Sequence, residues 1–192
     1  MRIITGYLKG RIIKENVPSF IRPTTDKVRE AIFNILDNHF VYDDLIVADI
    51  CAGTGMLGFE AISRGCKNCF FVDKDIHSIH FINSLAESFK ISKEKYEVQK
   101  NDALKFLENC IKSFPERKFD LIFTDPPYKA NFLNQMVRII YDGNLLKPGG
   151  IFVAEHDDTE IILVPMDWKK IVDKIYGNTK IEMYRVNYDN EN

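Results

Sequence analysis

From residue 45 onward the chain alternates short apolar runs with stretches of helical period, and few folds accommodate that alternation. LIVADI (45–50), CFFVDKD (69–75), YEVQKND (96–102), FDLIFTD (119–125) and GGIFVAEH (149–156) read as strands, YEVQKND being the weakest. Between them MLGFEAISRG forms a helix closed by Gly65, and Ile76, Ile79, Leu85 and Phe89 mark another. Ala103, Phe106, Leu107, Cys110 and Ile111 make an apolar helical stripe, and residues 132–142 run as a helix to Gly143. Strands that are apolar on both sides must be covered on both faces, so the pattern implies an α/β fold with a parallel sheet between helices. WKKIVDKIY and TKIEMYRV, joined through Gly177-Asn178, read as a closing hairpin. Sheets of this kind bind ligands beyond the carboxyl ends of their strands, where the strand order reverses. The residues to inspect are therefore Asp49 to Gly55, Asp73 to Asp75, Asn101-Asp102 and Asp125 to Tyr128.

Ahead of this core, residues 2–14 alternate enough to suggest a short hairpin with Gly6 and Gly10 near its bends. Arg22-Pro23-Thr24-Thr25 leads into a helix that Thr24 or Thr25 can cap, with Val28, Ile32, Ile35 and Leu36 on one face. No repeat, low-complexity tract or long linker divides the 192 residues, which suit one domain. Residues 1–40 are its N-terminal hairpin and helix, and 45–192 its cofactor-binding and catalytic core.

The net charge of −2 argues against a protein that coats nucleic acid through electrostatics alone. The charge is uneven, however. Residues 1–30 hold seven Lys/Arg against three acids, a net +4, which leaves −6 on the rest. A basic arm on a neutral body suits local contact with phosphates, although a solvated basic hairpin without a partner would look the same. No apolar run approaches the roughly 20 residues of a membrane span, and MRIITGYLKGR lacks the apolar stretch of a signal peptide. A cytoplasmic enzyme is the expectation. Cys66 and Cys69 form a single C-x-x-C without a second pair or histidines at zinc spacing, so the four cysteines read as free thiols and no metal is expected. His77 and His80 lack a third ligand and read as structural.

Gly53-Thr54-Gly55-Met56-Leu57-Gly58 matches G-x-G-x-x-G between a strand and a helix. The glycines permit a tight turn whose backbone N–H groups approach a ligand closely, a device shared by dinucleotide and S-adenosylmethionine sites. Asp49 separates the two. A carboxylate beside the loop suits a cationic sulfonium or ammonium and repels a pyrophosphate. Cys51, Ala52, Gly53, Thr54, Gly55 and Leu57 are then the loop positions expected to meet the cofactor. Asp73, about twenty residues past the first glycine, can accept from a ribose diol, with Lys74 beside it. Asp75 reads as a helix cap. Asp102 can receive an adenine amino group, cap the helix that begins at Ala103, or do both.

Asp125-Pro126-Pro127-Tyr128 follows the fourth strand. Two prolines stiffen the turn and withhold two N–H donors, leaving the Asp125 carboxylate and the Pro126 carbonyl as acceptors. That suits a planar –NH2, which has two protons to donate. Tyr128 offers a flat face for a base to stack on, worth roughly 1–3 kcal/mol.

D-x-x-A-G-T-G (Asp49–Gly55) together with D-P-P-Y resembles the class I amino-methyltransferases. The wider pattern is RIITGYLKGR, RPTTDKVREAIFNIL, DICAGTGMLGFEAISRG, FVDKD, FTDPPY, FVAEHDD and YGNTKIEMYR. It is similar to the RsmD-type family, which methylates N2 of a guanine in 16S ribosomal RNA. RPTTDKVREA is the most family-specific block, and Cys51 stands where that family usually has Phe. The resemblance implies a Rossmann-like, mostly parallel seven-stranded sheet with an antiparallel last strand and helices on both faces. It also implies S-adenosylmethionine as cofactor and ribosomal RNA, free or in an assembled small-subunit particle, as partner. Lys9, Arg11, Arg22, Thr24 and Arg29 become the expected RNA contacts, Thr24 and Thr25 being equally able to touch the cofactor carboxylate. Adenine N6 and a protein glutamine amide also present planar –NH2 groups, so D-P-P-Y alone leaves those acceptors open. A nicotinamide-dependent oxidoreductase fits only the glycines and Asp73, and a non-catalytic RNA-binding protein would have no need of the acceptor turn.

Overall fold

The computed structural model describes residues 1–13, 24–126 and 131–187. Helix α1 (Asp26–Leu36) precedes β1 (Ile46–Ile50), α2 (Met56–Ser63), β2 (Asn68–Asp73), α3 (Ile76–Ser88), β3 (Tyr96–Lys100) and α4 (Ala103–Ser113). Then come β4 (Phe119–Thr124), α5 (Phe132–Asp142), β5 (Leu146–Asp157), β6 (Trp168–Tyr176) and β7 (Thr179–Val186). The strands form one sheet in the order β3-β2-β1-β4-β5-β7-β6. All pairs from β3 to β5 are parallel. β7 runs antiparallel to both its neighbours, wedged between β5 and β6. The closing hairpin thus supplies the expected antiparallel last strand, β7, while β6 at the edge runs with the parallel strands.

Alternate strand residues feed two cores. Val47, Phe71 and Phe123 pack with Phe33 of α1, Phe59 of α2 and Ile82 of α3. Ala48, Val72 and Ile122 pack with Phe106 of α4 and Met136 and Ile140 of α5. The central strands lie between these layers, which is why they read as unbroken apolar runs. Gly58 permits the close seating of α2: a Cβ there would lie 2.3 Å from Phe71 Cε1 and 2.8 Å from Cys69 Sγ. The four cysteines are free, and burial pushes the Cys66 thiol up to about 12, beyond ordinary redox or metal chemistry. Among the described residues no cluster of three or more His, Cys, Asp and Glu gathers as a metal site would, and no helix is long and apolar enough to cross a membrane.

The N-terminal segment folds back on itself as a short, irregular hairpin, with Ile3 N donating to the Arg11 carbonyl, Gly10 N to that of Ile3 and Ile13 N to that of Met1. Arg2 and Ile12 form a single antiparallel bridge, and residues 5–10 are turns, with positive φ at Gly6 and Gly10. Other backbone donors of the segment turn to α2. The Ile4 and Thr5 N–H groups donate to the buried Glu60 carboxylate of α2 at 2.8 and 2.9 Å, and Leu8 N–H donates to Ser63 Oγ. These donors, which the hairpin does not pair across its arms, are taken up by α2, which seats the segment on the helix. Gly6 is obligatory there: a Cβ would fall 1.8 Å from the Ser63 carbonyl.

Candidate active site

The chain reverses direction across the sheet between β1 and β4. From β1 it goes outward to β2 and β3, then returns to lay β4 on the other side of β1. The crevice beyond the carboxyl ends of β1 and β4 therefore separates the glycine loop from the Asp125 turn, the geometry that gives such sheets their binding site.

On the β1 side, Cys51, Gly53 and Gly55 all have positive φ, of 62°, 53° and 71°. Gly55 caps α2 without any side chain, so the helix amino end is bare backbone. Thr54 and Leu57 are buried, and the loop offers a ligand its main chain more than its side chains. Asp49 lies beneath the loop at 3% exposure, its Oδ2 accepting from Gly58 N at 2.9 Å. Burial raises its carboxyl to about 7, the Gly58 hydrogen bond opposes this, and nearby Asp73 adds to it. A carboxylate held this far from water favours a cation that would restore its charge balance.

Asp73, ending β2, accepts from Gly53 N and from Asp75 N, each at 2.8 Å, and so ties the glycine loop to the second strand end. Asp75 caps α3 as expected. Asp102, just past the carboxyl end of β3, accepts from Leu104 N and Lys105 N, making it the cap of α4, and Ala103 beside it is buried. Cys51 sits amid these acids: burial pushes its thiol far above its ordinary value, and Asp73, Asp125 and Asp49 push it further, against the exposed Lys74. The loop and the Asp125 turn are thus electrostatic neighbours, although far apart in sequence. Pro126 is buried beside the half-buried Asp125. Pro127, Tyr128 and Arg22 lie outside the described residues.

Of the expected RNA contacts, Lys9 and Arg11 are exposed on the N-terminal loop. Arg29 is not available. It is fully buried, donating to the Arg2 carbonyl at 2.6 Å, to Asp26 at 2.9 Å and to the Thr24 carbonyl at 3.4 Å, with Glu60 3.9 Å away. Its charge clamps the N-terminal loop to α1 and α2 and cannot reach a phosphate. Thr25 caps α1, accepting from Val28 N, whereas Thr24 donates to Glu155 Oε2 at 2.8 Å. Glu155, at the carboxyl end of β5, stands out by no residue pattern of its own; its signal in the sequence is its position at the end of the strand after the Asp125 turn.

The sheet order with one reversed strand wedged near its end, and a ligand crevice at the β1/β4 switch, define the class I methyltransferase fold. A provisionally named methyltransferase of Escherichia coli, YhhF, has this structure: TM-score 0.82 and 25% identity, covering 97% of this chain and 98% of that one. The chain belongs to the family described as conserved hypothetical protein 95, whose model matches residues 1–185. It is 38% identical to YlbH of Bacillus subtilis, a provisionally named rRNA methyltransferase, over 96% of this chain and 98% of that protein. It is 30% identical to ribosomal RNA small subunit methyltransferase D of Haemophilus influenzae, over 96% and 93%.

Proposed function

We propose that this protein is an S-adenosylmethionine-dependent methyltransferase of small-subunit ribosomal RNA, and that its acceptor is the exocyclic N2 amine of a guanine. The observation that carries the reading is the meeting, across the β1/β4 switch, of a buried carboxylate under a glycine loop with an acceptor-rich turn. The similarity to rRNA methyltransferases supports the substrate class.

The residues present fit the cofactor. Asp49 supplies negative charge, the backbone of 51–55 with Leu57 allows close approach, Asp73 and Lys74 border the ribose end, and Asp102 with Ala103 the adenine end. When bound, S-adenosylmethionine supplies a methyl group already activated on a sulfonium. The protein's part is alignment, which in well-oriented reactions is worth about 7–11 kcal/mol. Pro126 has no N–H to donate, and its carbonyl together with the Asp125 carboxylate accepts the two amine protons. Those hydrogen bonds turn the nitrogen lone pair toward the cofactor side as the amine pyramidalises. Tyr128 stacks on the base and Pro127 stiffens the turn. A paired base reaches such a crevice only by leaving its helix. Lys9 and Arg11, with Arg22 further along the N-terminal segment, hold the flanking RNA.

Asp125→Ala separates the two halves of the site. It should bind S-adenosylhomocysteine as the wild type does while methyl transfer falls by roughly 10²-fold or more, the scale of losing a well-placed polar catalytic group. Undiminished turnover would remove Asp125 from the chemistry. Nucleoside analysis of small-subunit RNA after labelling tests the acceptor, and label in N6-methyladenosine would overturn guanine.

A further inference from the structure

β4 and β5 are parallel and in register, Phe123 opposite Val153 and Thr124 opposite Ala154. Asp125 and Glu155 are the next residue on each strand, which sets them side by side at a spacing of about 4.8 Å between neighbouring chains. They share a face. Phe123 and Val153, two residues earlier, both enter the core under α1 and α2, whereas Ile122, Phe152 and Ala154 enter the opposite one. His156, next along β5, turns to that opposite face and meets Glu182. Glu155 is held in its orientation by Thr24, itself buried and bonded through its carbonyl to the immobilised Arg29. A carboxylate has about four acceptor positions, so one that accepts from Thr24 can also accept from a ligand.

We propose that Glu155 determines base specificity, its carboxylate accepting the N1–H of the guanine whose N2 amine is held by Asp125 and the Pro126 carbonyl. This rests on the acceptor reading above and adds to it what selects the base. Guanine presents N1–H beside the amine, a row of donors that two adjacent acidic side chains can meet. Adenine presents its amine beside a bare N1, and a glutamine amide presents its amine beside a carbonyl oxygen. Each would set a lone pair against the Glu155 carboxylate. A site built to bond a donor rejects an analogue lacking it far more strongly than a hydrophobic pocket rejects a change of size. The N-terminal segment thereby gains a second role, since through Thr24 it orients the selecting residue.

The test uses small-subunit RNA carrying either guanosine or 2-aminopurine at the position mapped by label. 2-Aminopurine keeps the N2 amine but has an unprotonated N1. Wild type should methylate guanosine at least about 10²-fold faster than 2-aminopurine. Glu155→Gln keeps the side-chain shape and gains an –NH2 that can donate to the bare N1. It should lose rate on guanosine and gain on 2-aminopurine, narrowing the ratio by at least about tenfold, with unchanged affinity for S-adenosylhomocysteine. The ratio is internal to each protein, so a smaller folded fraction does not affect it. Thr24→Val, which removes the hydroxyl that Glu155 accepts from, should narrow the ratio in the same direction. An unchanged ratio in Glu155→Gln overturns the proposal while leaving guanine methylation intact. Absence of any methyl on guanine N2 with the wild type overturns the acceptor reading and this inference with it.

Discussion

Asp49 offers a perturbation in which stability and binding should move in opposite directions. Its carboxyl is raised from 3.8 to about 7 chiefly by burial, so the folded protein prefers it protonated while the unfolded chain does not. A raised carboxyl pKa stabilises the fold fully below about 4, and that contribution is lost as pH rises through about 7. Three units at 1.36 kcal/mol each make the loss roughly 4 kcal/mol, complete above neutrality. The group is wholly buried, so solvent screening does not reduce the figure. Asp49→Asn carries no charge, and its amide oxygen can still accept from Gly58 N–H. Without cofactor, the variant should match the wild type near pH 4 and exceed it by about 1.4 kcal/mol more for each pH unit up to about 7. Urea denaturation of both proteins from pH 4 to 8 reads this directly, since other titrating groups are common to both. Binding should go the other way. S-adenosylmethionine affinity should rise with pH in the wild type as Asp49 ionises, and be flat and at least about tenfold weaker at pH 8 in the variant, the effect of losing about 1.4 kcal/mol of charge interaction. A stability difference that does not change with pH would refute the argument, because Asp49 would then carry no burial penalty.

Three further outcomes follow from particular contacts. Gly58→Ala forces a methyl against Phe71 and Cys69, and should cost about 1–3 kcal/mol of stability in denaturant titration while leaving RNA chemistry in the residual folded enzyme. Glu60→Ala strips the acceptors from Ile4 N and Thr5 N and the buried counter-charge from Arg29, and should cost about 3–5 kcal/mol, with hydrogen exchange at residues 3–8 accelerating beyond that of β1. Lys9→Ala with Arg11→Ala should weaken RNA binding and flatten its dependence on log salt by about 2, at unchanged cofactor affinity; equal slopes would make the exposed loop purely structural.

The sequence alone determined the sheet, because strands buried on both faces must be apolar throughout and the helices between them must show one apolar side. It also singled out the loop proposed to hold the cofactor. Only glycines tolerate the positive φ of residues 53 and 55 without strain, and Gly58 marks where α2 touches β2. Asp49, Asp73, Asp102 and Asp125, the acids of the proposed site, were legible because a strand end is a local feature of the sequence. Tertiary structure decided what depends on partners distant in sequence. Arg29 reads as an exposed helical cation until Glu60 and the carbonyls of Arg2 and Thr24 are folded around it. Residues 2–14 read as a hairpin, but where it sits is decided by Glu60 and Ser63 of α2, which take the Ile4, Thr5 and Leu8 donors. β7 reads as the last strand of a hairpin, but its insertion between β5 and β6 follows from pairing energies that no local pattern encodes. Glu155 stands beside Asp125 only because two parallel strands about thirty residues apart settle into one register. Periodicity records which face of an element is buried. Which groups meet across elements is set by packing and by competition for hydrogen-bond donors, and these exist only once the chain has closed on itself.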